Sequence, residues 1–357
     1  MTESQAPIQN LKIVELMGQP KPKRDLHWLR AMLQSALELE LSTLPPYLCG
    51  LYSLKDPKQS SVPSQLILNI VFQEMTHFGL ACNMLRATGN QPEIFDGYDA
   101  IVYPGQLPGG VRPKCDSSFF PCDPKFEVQL GFTDYESFVR MCMQIEYPED
   151  PVPKPPVTAA AETFPSIGEF YDAIREGFET IPNVPYDTAK QLTYKTKYAD
   201  PAVFVVDTLP QALQAIKTIQ TEGEGGPRYP FYAPGKLAHF YAFGEIYFRK
   251  QYVYDPETKT GDWTGDAITI PQVYPMSPVP LGGYTDPPQE VLAVDRDFTA
   301  MLQYLDQAWA NGDKAALTAA IAAMDQLKTD ATNLLSKQIP RDDGEGIFGP
   351  QFRKSNS

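Results

Sequence analysis

The sequence predicts a mainly α protein: a four-helix bundle with long Pro/Gly-rich loops and a C-terminal helical hairpin. Three observations predict it. Apolar residues recur at helical spacing over several long segments. The 35 prolines and 24 glycines crowd the stretches between them. The last two periodic segments meet at Asn311-Gly312, as in a helical hairpin.

Residues 1–23 hold Pro7, Pro20 and Pro22 and read as an irregular arm. The bundle is expected over 24–250. Its first helix spans about 26–54, with Leu33, Leu37, Leu44 and Leu48 in register, and Pro45-Pro46 predicts a kink or break. Pro63 and Ser64 open a second helix, 64–88, with Ile67, Ile70, Val71, Phe78 and Leu85 on its stripe, and Gly89-Asn90 stops it. Residues 91–132 read as an elaborate loop with short strands at most. Thr133-Asp134-Tyr135-Glu136 has the form of a capping box and starts a third helix over 133–147, which Pro148 ends. A Pro-rich connection leads to a second capping box, Ser166 to Glu169, ahead of a helix carrying Phe170, Ile174 and Phe178. Asp207 is placed to cap a helix over 207–222, closed by Gly223. Segment 236–250 is apolar on every face and predicts a buried helix. Residues 251–289 are again Pro/Gly-rich loop, where the remaining strands are expected. The hairpin occupies 290–338 and packs on the bundle, with Asp313 capping its second helix.

Composition narrows the function. The 357 residues carry 30 Lys+Arg against 44 Asp+Glu, a net charge of −14. Such a surface repels phosphate backbones and acidic lipid headgroups, so neither nucleic acid nor membrane is expected as a partner. No apolar run reaches the length of a membrane span, and the first residues lack a secretion signal. The five cysteines are odd in number and unpatterned, which fits a reduced, cytoplasmic setting. Cys115 and Cys122 lack zinc-site spacing, and the Gly223–Gly226 stretch lacks the lysine of a phosphate loop.

Bundles that hold two metal ions with carboxylates draw ligands from inward faces: a Glu from each of two helices and a Glu-x-x-His from each of the others. Glu74-Met75-Thr76-His77 has that spacing, and both polar residues interrupt the apolar stripe. The plainer reading is a surface carboxylate beside a core histidine. In the first helix Glu40 sits among Leu33, Ala36, Leu37 and Leu44, whereas Glu38 aligns with Gln34 and Ser42. A buried Glu40 requires compensation, from a metal or from an Arg or Lys partner. Glu146 follows Val139, Cys142 and Met143 on the inner line of the third helix. Glu169 is better explained as a cap, Glu176 shares its side, and Glu162 lies in a loop. Glu222 follows Ile216 and Ile219, with no histidine three residues on. His239 arrives seventeen residues later, at the start of the buried segment. The expected metal ligands are therefore Glu40, Glu74, His77, Glu146, Glu222 and His239. His27 reads as a surface or structural residue, and Tyr47 as core packing within reach of the site.

These stretches also carry a resemblance: Leu37–Leu48, Glu74–His77, Ile167–Ile174, Thr221–Gly225 and His239–Ile246. Together they resemble the ferritin-like family named for iminophenyl-pyruvate dimer synthase, which includes a domain of a violacein-pathway enzyme that joins two indole-pyruvate imines. The likeness spans roughly residues 25–250. It implies a ferritin-like bundle, a metal centre and often a place in secondary metabolism. The separation of Glu222 from His239 departs from the usual Glu-x-x-His.

The expected function is an O2-dependent non-haem oxidoreductase with two iron ions, or manganese, acting on a small organic substrate that includes amino-acid-derived secondary metabolites. Glu74 and His77 are expected on one ion and Glu222 and His239 on the other, with Glu40 or Glu146 bridging. Residues 223–235 would bulge out of the fourth helix and return His239 opposite Glu222. The loops and hairpin exceed what a bare bundle needs and are expected to roof a substrate pocket. A homo-oligomer is compatible with the sequence. The alternatives are a ferritin-like metal-binding or storage protein without turnover and, from the resemblance alone, a metal-independent enzyme coupling imines or keto acids.

Overall fold

The structure is a computed structural model and describes residues 11–114, 120, 126–149, 165–195, 202–224, 229–344 and 346–355. Cys115, Cys122, Glu162 and most of the Pro-rich connection lie outside the described residues.

Helix α2 (Leu26–Ser53) begins where the Asp25 carboxylate accepts from the Trp28 N–H at 2.9 Å. It continues through Pro45 and Pro46 where the sequence predicted a kink or break. Pro46 cannot donate to the Ser42 carbonyl, and the Tyr103 hydroxyl donates to that oxygen instead, at 2.5 Å. Burial of both prolines in the bundle holds the helix together across them. Helix α3 (Val62–Ala87), capped by Ser61, lies against α2 as the other half of the central pair. Most residues of both helices are buried, so their faces are separated more by chemistry than by wetness.

The other two bundle positions are each filled by two shorter helices. These are α4 (Tyr135–Ile145) with α5 (Ile167–Thr180), and α6 (Leu209–Glu224) with α7 (His239–Phe248). Helices α4 and α5 both pack on α2, while α6 and α7 both pack on α3. In turn α4 pairs with α7 and α5 with α6, the pattern of two antiparallel helices each interrupted at mid-length. The cap of α4 is Asp134, one residue later than expected, because its carboxylate reaches the Ser137 N–H at 2.8 Å. The Ser166–Glu169 capping box forms as the sequence indicates.

The arm contains a short helix, α1 (Lys12–Met17), where irregular chain was expected. Its Ile13 is fully buried, and Gly109, at φ 74°, leaves the space that this side chain fills. Two ladders occur among the described residues: β1 (Phe231–Ala233) with β2 (Lys236–Leu237), and β3 (Val253–Asp255) with β4 (Thr260–Asp262). The first lies outside the loops where strands were expected. Pro234-Gly235, with Gly235 at φ 69°, makes the tight turn that pairs it. Helices α8 (Gln289–Asn311) and α9 (Lys314–Lys337) form the C-terminal hairpin, turned at Gly312 (φ 68°) and capped by Asp313. Its α9 packs against α2, and Arg86 at the end of α3 donates to the Trp309 carbonyl of α8. Among the described residues no helix is long and apolar enough to cross a membrane.

Candidate metal centre

All six acidic and histidine residues singled out in the sequence lie in the bundle interior, each no more than 9% exposed. The two helix interruptions deliver three of them. Glu146 is the C-cap of α4, Glu222 stands in the last turn of α6, and His239 is the first residue of α7. Glu40 comes from mid-α2, and Glu74 and His77 come from mid-α3, one helical turn apart.

They form two groups around one carboxylate. Glu40, Glu74 and His77 make the first and Glu74, Glu146 and His239 the second, each with ligand atoms within 4.8 Å of one another. In the first, His77 Nδ1 lies 3.6 Å from Glu40 and 3.7 Å from Glu74. In the second, His239 Nδ1 lies 2.9 Å from Glu74 and 3.5 Å from Glu146. The shared residue is thus Glu74, where Glu40 or Glu146 was expected to bridge. Position explains it: α3 is the element that touches both α6 and α7, so its carboxylate stands between the two halves.

The outer contacts repeat the same plan. Each imidazole turns Nδ1 inward and Nε2 to a polar partner: His77 to Glu222 at 2.9 Å, His239 to Gln73 Oε1 at 3.2 Å. Tyr171 of α5 donates to Glu40, and Tyr47 of α2 donates to Glu146. Thr43 donates to Glu74 at 3.0 Å. The two rings stack with centroids 5.6 Å apart. Glu222 accordingly meets His77 and not His239, contrary to the pairing expected from the bulge at 223–235. His239 instead stands on the other side of Glu74, at the start of an α7 that packs mainly along α4, and residues 225–228 of the expected bulge lie outside the described residues.

Other neighbours of the site carry little or no local signal in the sequence. Tyr47, placed in the core by the sequence, also turns its hydroxyl to Glu146. Tyr171 and Gln73 carried no spacing signal, since each acts on a residue from another helix. Glu38 is buried as well, but it accepts from Gln34 at 2.9 Å and takes no part in either group. Glu176 pairs with Lys21 at the surface, and His27 is exposed.

The electrostatics favour a bound cation. Among the described residues no Lys or Arg pairs with Glu40, Glu74, Glu146 or Glu222. Burial pushes the Glu40 carboxyl up to about 7, against the pull of His77. Burial also opposes ionisation of Glu74, but the imidazoles of His239 and His77 outweigh it and hold that carboxyl below its ordinary range. Burial disfavours charge on His77, yet Glu222, Glu40 and Glu74 hold it well above the usual imidazole value. His239 is likewise opposed by burial and raised to about 9 by Glu146 and Glu74. Even with both rings protonated, two positive charges serve four buried carboxyl groups, of which Glu40 is held back from ionising.

Two divalent ions would balance the four carboxylates and leave the imidazoles neutral. The residues fit such ions. His239 Nδ1 makes no hydrogen bond despite its short approach to Glu74. The Gln73 oxygen on Nε2 selects the tautomer whose Nδ1 lone pair points into the group. Mixed carboxylate and imidazole donors suit iron and manganese. A cavity of about 40 Å³ lies against Glu40, Glu74, His77 and Glu146, with Lys114 and Glu149 on its outer wall. It has room for ions and a few water-sized groups. A pocket for an organic ligand usually measures ~300–1,000 Å³.

A ferritin-like family profile matches residues 33–248. A crystal structure of a ferritin-like protein from Caulobacter vibrioides superposes with a TM-score of 0.60 at 26% identity, covering 94% of this chain and 99% of that one. No curated protein matches the chain. The profile covers well over half of the chain, including all six residues of the site: this protein belongs to the ferritin-like family.

Proposed function

We propose that the protein is an O2-dependent non-haem oxidoreductase holding two iron or manganese ions and acting on a small organic substrate. The observation that carries this reading is the sharing of Glu74 by two carboxylate–histidine groups with matching outer contacts. Two such ions, when bound, supply the electrons that reduce O2. Glu40 and His77 would hold one ion, Glu146 and His239 the other, and Glu74 both. Tyr47 and Tyr171 keep their protons, because burial and the adjacent carboxylates push both hydroxyls well above the ordinary phenol value. Each therefore stays a donor that orients its carboxylate. The apolar walls, Leu39, Ile145 and Ile219 among them, exclude bulk water from the reacting atoms.

The small cavity favours a second reading, a protein that holds metal without turning over an organic substrate. Anaerobic titration with Fe(II), followed by exposure to O2, separates the two. The oxidoreductase reading expects two ions per chain, rapid O2 consumption and further turnover with a reductant and substrate. Binding of two ions with a single stoichiometric oxidation and no turnover favours the metal-holding reading. Failure to bind Fe(II) or Mn(II) at all overturns both.

A further inference from the structure

A second cavity, of about 470 Å³, lies on another face of α2 and α3, under the hairpin. Its volume is that of a small-molecule site. Four helices wall it: Leu44 and Leu48 from α2, Val71 and Met75 from α3, Met301 from α8 and Met324 from α9. Methionine thioethers adapt to ligands of irregular shape.

Polarity along the trough is uneven. At one end stand Leu41, Met75 and Ile321, and Ile321 is 46% exposed beside the opening. At the other end, near the α2–α3 connection, stand Lys58, Gln59, Gln65, Asp325 and Lys328. The three helices agree on this direction, since Leu51, Gln65 and Lys328 all sit toward the polar end. From Leu41 at the apolar end to Leu51 toward the polar end, the helix rise makes the trough about 15 Å long. Lys328 donates to Gln59 at 2.7 Å, and Lys58 is exposed and forms no ion pair among the described residues. Among the side chains that line the polar end, Lys58 and Lys328 against Asp325 leave one net positive charge on a chain of net −14. An elongated apolar slot closed by a locally cationic end matches one ligand class by shape and by charge.

We propose that this trough binds a single-chain anionic amphiphile, a medium-chain carboxylate or its sulfate equivalent. The alkyl chain would lie among Leu44, Val71, Met75 and Met301, with the headgroup at Lys58 and Lys328. The site is separate from the metal centre and does not depend on the reaction carried out there.

Calorimetric titration of the full chain with dodecanoate, below its micelle-forming concentration, tests this against dodecanol and dodecyltrimethylammonium. One dodecanoate per chain is expected, bound more tightly than dodecanol, with the cation weakest. Lys58→Gln and Lys328→Gln should each weaken dodecanoate roughly two- to fivefold, the worth of an exposed ion pair, and leave dodecanol unchanged. Met324→Trp fills the trough from the partly exposed face of α9 and should abolish binding of all three. Absence of dodecanoate binding, equal affinity for the cation, or indifference to Met324→Trp in a folded variant overturns the proposal. So does a wild-type dimer that Met324→Trp dissociates, which would make the trough the seat of a second copy. Should Met324→Trp misfold, the two lysine variants still decide, because a non-specific apolar surface would not distinguish headgroups.

Discussion

Nε2 of His77 meets Glu222 at 2.9 Å while Nδ1 of the same ring faces Glu40 and Glu74 at 3.6 and 3.7 Å. One face of the imidazole is thus committed to an outer carboxylate, and the other is left for the interior of the site. The same division recurs at His239, with Gln73 in the place of Glu222. A ring held at its far nitrogen is oriented before any ion arrives, which is how outer partners raise the affinity of histidine for metals.

Glu222→Gln tests that role. It keeps a polar partner for His77 and removes the charge. We expect two Mn(II) ions per chain still to bind, with affinity lowered about 10- to 100-fold. Loss of one ion outright, measured by electron paramagnetic resonance of free Mn(II), would instead make Glu222 a direct ligand.

Glu74→Ala should lose both ions, whereas Glu40→Ala and Glu146→Ala should each lose one, because only Glu74 belongs to both groups. Elemental analysis of the purified variants gives the counts. Far-ultraviolet dichroism should stay helical in all three. Retention of one ion in Glu74→Ala would show that the two groups do not share it.

Tyr171→Phe and Tyr47→Phe each remove one donor, from Glu40 and Glu146 respectively. A freed carboxylate changes its binding geometry, so each variant should perturb one of two Co(II) absorption bands and lower affinity at that site by about 10-fold or more. Identical spectra for wild type and both variants would reduce the tyrosines to packing.

Tyr103→Phe leaves the Ser42 carbonyl without the hydroxyl that stands in for the missing Pro46 N–H. An unsatisfied, largely buried acceptor costs about 1–3 kcal/mol. Urea unfolding of the metal-free protein should show a loss in that range, with an unchanged denaturant slope.

Asp295 gives a pH dependence remote from the metal centre. Burial pushes its carboxyl up to about 6, against hydrogen bonds from the Arg353 N–H and the Gln351 amide in the C-terminal tail. A carboxyl raised in the folded state contributes stability that is complete below its ordinary value of 3.8. That contribution is lost as pH rises through about 6. Asp295→Asn cannot titrate, so its thermal midpoint should vary less than that of wild type between these two values. Parallel profiles would assign the dependence to other groups.

Local patterning specifies the long helices and sets the carboxylates and histidines of the site on their inner faces. Apolar periodicity located α2, α3, α6 and the hairpin, because burial of a stripe must be written locally, residue after residue. It also told Glu40 from Glu38, since a carboxylate inside an apolar stripe stands out against its own helical neighbours. Tertiary structure alone decided how those residues combine. Glu222 fell to His77, Glu74 rather than Glu40 or Glu146 became the shared carboxylate, and Tyr171 reached Glu40 across the bundle. It also decided that α2 survives Pro45-Pro46, through a hydroxyl supplied 61 residues away. The reason is the same in each case. Spacing along one helix places a side chain on a face, but the partner on the opposing face depends on how two interrupted helices pair, and no local pattern records that pairing.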